Sequence, residues 1–135
     1  MTNKDNTPPQ NQTPELEPQK VLIIDDDAPA RTLLSLMLKR AKHITTVAEG
    51  ANQALGILEQ SPELDMIVVD YMLPGTNGID FVKRVRAIPE WENIRIVMLS
   101  ARSDNEVRTK AFEAGINKYM IKPILIQDIP DLFRD

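Results

Sequence analysis

The strongest constraint on this chain is a repeated switch between short apolar runs and helical periodicity. VLII (21–24), MIVV (66–69) and IRIVML (94–99) are almost unbroken in apolar residues, and the β-branched ITTVA (44–48) and KYMI (118–121) complete the set. Val- and Ile-rich runs without polar alternation suit strands covered on both faces, the condition of a parallel sheet. Helical patterns separate them. Pro29, suited to a first helical turn, precedes Leu33, Leu34, Met37, Leu38 and Ala41 at three- and four-residue spacing. Ala51, Ala54, Leu55 and Leu58 form a second face, weakened by Gly56. Ile79, Val82, Val85 and Arg86 begin a third helix after Gly78. Ser103 and Glu106 form an S-x-x-E capping box for a fourth, running to Gly115 as C-cap. A fifth, over Ile126–Phe133, is interrupted by Pro130. Five βα units with right-handed crossovers predict an α/β fold: a doubly wound five-stranded parallel sheet of order 2-1-3-4-5.

Composition narrows the chemistry. The 135 residues include no cysteine and a single histidine, His43. A disulfide framework, a thiol nucleophile, a Cys/His zinc site and a Ser-His-Asp triad all lack their parts. The net charge of −4 argues against a nucleic-acid binder and against an anionic membrane surface. No apolar run approaches the roughly 18–20 residues of a membrane span, and the N-terminus has no signal-peptide pattern, so a soluble cytoplasmic protein is expected. Residues 1–19 hold four of the ten prolines and only Met1 and Leu16 as large apolar side chains. They read as a disordered tail, with the folded domain over residues 20–135. His43 is expected to end the first helix on the surface, and Trp91 to be a packing anchor.

Ligands of open α/β sheets bind beyond the carboxyl ends of the strands, where the strand order reverses. Asp25, Asp26 and Asp27 follow strand 1, Asp70 follows strand 3, Ser100 ends strand 4, and Lys122 follows strand 5. Crowded carboxylates repel unless they are protonated or neutralised, and a few hard oxygens open to water suit Mg²⁺ or Mn²⁺. Asp70 is then a candidate nucleophile, Lys122 a positive charge opposite it, and Ser100 a short hydrogen-bond donor. Asp27 reads as the N-cap of the first helix.

With VLIIDDDAPA, MIVVDYMLPGTNG, IVMLSA and KYMIKP in this order and spacing, the chain from Lys20 onward resembles the receiver domain of bacterial response regulators. The resemblance implies that Asp70 accepts a phosphoryl group. It also implies that Asp25 and Asp26, with Asp70 and the backbone carbonyl of Met72, hold Mg²⁺ or Mn²⁺. Lys122 is implied to contact the phosphoryl group, and Ser100 and Tyr119 to act as the switch pair. Ala101 is the small neighbour such a site needs, and Pro74 and Gly78 match the turn after the phosphoacceptor. Thr76, Asn77 and Ile124 depart from the family pattern, and Met72 and Arg102 stand where side chains tune the lifetime of the phosphoryl group. The implied donor is a sensor histidine kinase or a histidine phosphotransfer protein. The chain is expected to be a monomer or a phosphorylation-dependent dimer, either a stand-alone receiver or a piece of a longer regulator, with an output partner that the residues do not name. It is expected to catalyse only its own phosphorylation and dephosphorylation. Three other readings compete. A haloacid dehalogenase-like phosphatase would use Asp25 as nucleophile, but no Thr follows Asp27 and no cap domain is evident. A flavodoxin-type FMN protein would need a phosphate loop that is not triply acidic. A pseudo-receiver would bind partners without being phosphorylated.

Overall fold

The computed structural model describes residues 17–61 and 63–135. Five strands build one sheet: β1 (Lys20–Ile24), β2 (Ile44–Ala48), β3 (Met66–Asp70), β4 (Arg95–Ser100) and β5 (Lys118–Ile121). Their order is β2-β1-β3-β4-β5 and every pairing is parallel, as expected. The helices are α1 (Ala28–Arg40), α2 (Ala51–Gln60), α3 (Gly78–Arg86) and α4 (Asn105–Ala114). Most of the expected tail, residues 1–16, lies outside the described residues. Gln19 is bonded into the fold, its N–H to His43 Nδ1 and its carbonyl to the N–H of Ile44.

The unbroken apolar runs have a direct reading in the two cores. Successive side chains of a strand point to opposite faces. Leu22, Ile24, Ile67, Val69, Ile96 and Met98 therefore pack under α2, α3 and α4. Val21, Ile23, Met66, Val68, Val97 and Leu99 face Leu34, Met37 and Leu38 of α1, with Ile129 and Leu132 from the C-terminal segment. Trp91 is buried in a short 3-10 turn (Pro89–Trp91), the packing role expected of it.

Four local expectations change. A two-stranded ribbon, Met72–Leu73 against Thr76–Asn77, intervenes between β3 and α3. It is too short to leave a periodic signature, and its turn needs Gly75 at φ +71° beside Pro74. At α4, Asp104 occupies the N-cap position in place of Ser103, and its carboxylate turns to the Arg102 guanidinium at 3.0 and 3.2 Å instead of capping the helix. The expected fifth helix is a 3-10 segment over Ile126–Phe133, because Pro130 lacks the N–H an α-helix would use and its ring clashes with the preceding turn. Finally, His43 is buried. Lys42 takes the left-handed conformation (φ +77°), and the N–H groups of Lys42 and His43 bond to the carbonyls of Lys39 and Leu38. That helix ending turns the His43 ring inward, where it stacks on Phe133 with centroids 4.4 Å apart.

Burial holds the His43 pKa below its ordinary value. The unfolded chain therefore binds a proton, as pH falls through about 6.5, that the fold resists. The stabilising contribution is present above that pH and is lost below it. The urea midpoint of the wild-type chain is expected to fall more between about pH 7.5 and about pH 5.5 than that of His43→Gln. Parallel falls in the two proteins would remove His43 from the account.

Candidate functional site

The sheet delivers its polar residues to one rim. Asp25 follows β1 and is buried. Its N–H bonds to the Ala48 carbonyl at 3.1 Å, and its own carbonyl accepts from Arg31 Nη1 at 2.7 Å. Its Oδ1 accepts from the N–H of Asp27 at 2.9 Å. Asp27 caps α1 by accepting from the N–H of Ala30, as expected. Asp26 stays exposed. Asp70 ends β3 with 8% of its surface accessible, and its Oδ1 lies 3.4 Å from the N–H of Met72. Lys122 follows β5, its N–H held by the Ser100 carbonyl at 2.9 Å. Its ammonium bridges the two buried acids, 3.0 Å from Asp25 Oδ2 and 2.9 Å from Asp70 Oδ2. One carboxylate oxygen from each of Asp25, Asp26 and Asp70 falls within 4.8 Å of the others.

Burial and charge set the protonation. Burial pushes the Asp70 carboxyl above its ordinary value, and the Asp25 charge adds to this, while the hydrogen bond and charge of Lys122 work against it. For Lys122, burial opposes the charge, but the bonds to Asp70 and Asp25 outweigh it and hold the ammonium above its ordinary range. Three carboxylates are gathered at this rim, and one ammonium bonds to two of them.

Ser100 is the fully buried last residue of β4, adjacent in register to Ile121, and its Oγ accepts from the N–H of Arg102 at 3.0 Å. Tyr119 stands inward and donates its hydroxyl to the Arg102 carbonyl at 2.7 Å. The two expected switch residues are therefore tied to one loop residue. The Met72 side chain is exposed beside Asp70. The closest support comes from Gly78, where a Cβ would meet the Asp70 carbonyl oxygen at 2.5 Å and Met98 Cε at 2.9 Å. Any larger residue there has to displace the segment that presents Asp70.

Two participants escaped the sequence reading. Arg31, whose guanidinium braces the Asp25 carbonyl, left only the weak signal of a basic residue one turn after an acidic run. Asp104, which holds the Arg102 guanidinium beside the Tyr71 ring, was hidden by the more familiar capping pattern at Ser103.

Residues 21–134 match the response regulator receiver domain family, and the chain belongs to it. It is 32% identical over 119 residues to a two-component response regulator, ORR3, of Oryza sativa subsp. indica, covering 88% of this chain and 90% of that protein. The chemotaxis response regulator CheY4 of Vibrio cholerae superposes with a TM-score of 0.81 at 25% identity, over 87% of this chain and 97% of that one. The receiver domain of the response regulator Ssk1, in complex with the histidine phosphotransfer protein Ypd1 of Saccharomyces cerevisiae, shares the fold, with a TM-score of 0.76 at 24% identity over 84% of each chain. The chain is thus a receiver module of two-component signalling. Among the described residues, no helix is long and apolar enough to cross a membrane.

Proposed function

We propose that this receiver takes a phosphoryl group from a phosphohistidine onto Asp70 and that its protein-binding surface changes in consequence. A carboxylate oxygen of Asp70 attacks phosphorus in line. The O–P bond forms as the P–N bond breaks, and the departing imidazole nitrogen keeps the electron pair. Lys122, already against Asp70 Oδ2, offsets charge on the phosphoryl oxygens. The donor set is entirely hard oxygen and carries more negative charge than one ammonium balances, so it fits a divalent cation. Asp25, Asp26 and Asp70, with the Met72 carbonyl, would hold Mg²⁺ or Mn²⁺, which when bound neutralises the phosphoryl oxygens.

The Ser100 hydroxyl then turns to the new phosphoryl group. In doing so it leaves the Arg102 N–H and loosens the loop that Tyr119 also grips. The outcome is a biased surface and no diffusible product beyond the phosphate released on self-hydrolysis. The partner carrying phosphohistidine is a sensor histidine kinase or a histidine phosphotransfer protein. The apolar groove beside Asp25 and Lys122, lined by Ala30, Leu33, Met37 and Pro123, supports a helical partner at that rim. The chain works as a monomer or as a phosphorylation-dependent dimer.

The observation that carries this reading is the Lys122 ammonium bridging Asp25 and Asp70 inside the three-carboxylate cluster. The test is incubation with acetyl phosphate and Mg²⁺, followed by peptide mapping. One phosphoryl mass is expected on the peptide containing Asp70, with none when the cation is chelated. Absence of label in both conditions would favour a receiver that acts only by binding.

A further inference from the structure

Away from the acidic rim, charge is segregated sharply. Residues 28–48, which make α1 and β2, contain Arg31, Lys39, Arg40 and Lys42 and no Asp or Glu, although the whole chain has 20 acidic residues against 16 basic ones. Among the described residues none of these four cations enters an ion pair. The same region exposes apolar surface: Leu36 is 54% accessible, Ile44 54% and Val47 40%. Between α1 and β2 lies a groove of about 320 Å³ whose floor includes Leu36, Thr45 and Val47, with Arg31 and Lys39 along it.

The backbone at this place is open as well. Among the described residues, β2 is the terminal strand of the sheet and pairs only with β1. The Ile44 N–H donates to the Gln19 carbonyl, and the Ala48 carbonyl accepts from the Asp25 N–H, so residues 44, 46 and 48 face β1. By the alternation of a parallel strand, Thr45 and Val47 turn their N–H and C=O groups to the free edge. The Thr45 and Val47 side chains are those that line the groove. An edge of unpaired donors and acceptors is a template for another strand, and here cations flank it.

We propose that the β2 edge and its groove dock an extended acidic segment of a partner protein, added as a sixth strand. Backbone bonds go to Thr45 and Val47, and the side chains on the groove face of the segment, apolar and acidic in turn, seat on Leu36 and Val47 and meet Lys39. A second copy of this chain is the poorer occupant, since pairing two β2 edges sets Lys39, Arg40 and Lys42 against their own counterparts. The site is separate from Asp70 and does not depend on its chemistry.

The test uses the full ¹⁵N-labelled chain and two end-capped peptides, one repeating Glu-Thr-Val-Thr and one repeating Lys-Thr-Val-Thr, so that charged and apolar side chains share one face. The acidic peptide is expected to shift the amides of Thr45 and Val47 and slow their hydrogen exchange, with affinity falling as salt is raised. The basic peptide is expected to do neither. Lys39→Glu, at an exposed position, is expected to weaken binding by about tenfold or more. Val47→Pro is expected to abolish it while keeping the rest of the amide spectrum, because that N–H takes no part in the β1 ladder and proline is tolerated on such an edge. Equal binding of both peptides, or shifts on another face, would overturn the proposal, as would retained affinity in Val47→Pro. Two further results would also overturn it. Vesicles of anionic lipid that retain the chain while the peptide gives no shift would assign the patch to a lipid surface. Slow exchange at Thr45 and Val47 before any peptide is added, with no peptide binding, would assign the edge to this chain's own residues 1–16.

Discussion

Asp70→Asn is expected to take up no phosphoryl group from acetyl phosphate, yet to unfold at a temperature equal to or above that of the wild-type chain. The two halves of this result have one cause. An amide keeps the shape of the side chain but removes the anionic oxygen that forms the O–P bond, so covalent capture is lost and not merely slowed. The folded chain holds the Asp70 proton more tightly than an unfolded chain would, chiefly because the carboxyl is buried. A raised carboxyl pKa means that the ionised group subtracts stability at neutral pH and that this loss is relieved as pH falls. Asparagine removes the charge at every pH and leaves Lys122 its second partner, Asp25. Lys122→Met separates the roles: it retains the nucleophile and loses the positive charge, so uptake is expected to fall by roughly 10²–10³-fold without disappearing. The measurements are labelling time courses and thermal denaturation of the three proteins. Persistent labelling of Asp70→Asn, at any residue, would sink the assignment of Asp70 as the acceptor.

The rim was legible from the sequence because each of its acids and its lysine ends or closely follows a strand whose length and apolar character are local properties. The apolar runs announced that both faces of the sheet are covered, and the parallel order then brought Asp25, Asp70, Ser100 and Lys122 to one end. Asp27 as a cap, Pro29 in the first turn and Gly115 after α4 are likewise short-range chemistry. What escaped depends on partners distant in the chain. His43 is buried because Phe133 arrives from the other end to stack on it and Gln19 bonds its ring. Nothing within a helical turn of His43 carries that information. The Ser103 capping box failed for a different, local reason: Asp104 is the N-cap residue, and its carboxylate pairs with Arg102 instead of capping the helix. The basic, edge-exposed character of α1 and β2 is plain in the residue order, but its meaning needed the knowledge that β2 is an edge.

Leu132→Ala is expected to cost about 2–5 kcal/mol of folding stability, a large share of the roughly 5–15 kcal/mol of an ordinary domain. The C-terminal 3-10 segment closes the α1 side of the core, where Ile129 and Leu132 are buried against strand side chains. Leu132 is completely inaccessible, so truncation leaves a cavity that a segment stiffened by Pro130 fills poorly. The segment also has polar tethers. Arg95 donates to the carbonyls of Leu132 and Arg134 and to Asp135, and Lys118 Nζ donates to the Arg134 carbonyl. Asp135 is largely solvent-exposed and its pairing with Arg95 is screened, so Arg95→Lys, which keeps the charge and stem but loses the planar fork, is expected to cost only about 1 kcal/mol. Urea denaturation of the two variants ranks packing against tethering, and a larger loss in Arg95→Lys would mean that the polar fork, and not Leu132, fastens the segment. Below its unfolding transition, Leu132→Ala is still expected to label with acetyl phosphate at near the wild-type rate. Lys122 is positioned by the Ser100 carbonyl, a β4–β5 contact that does not pass through the segment beyond it.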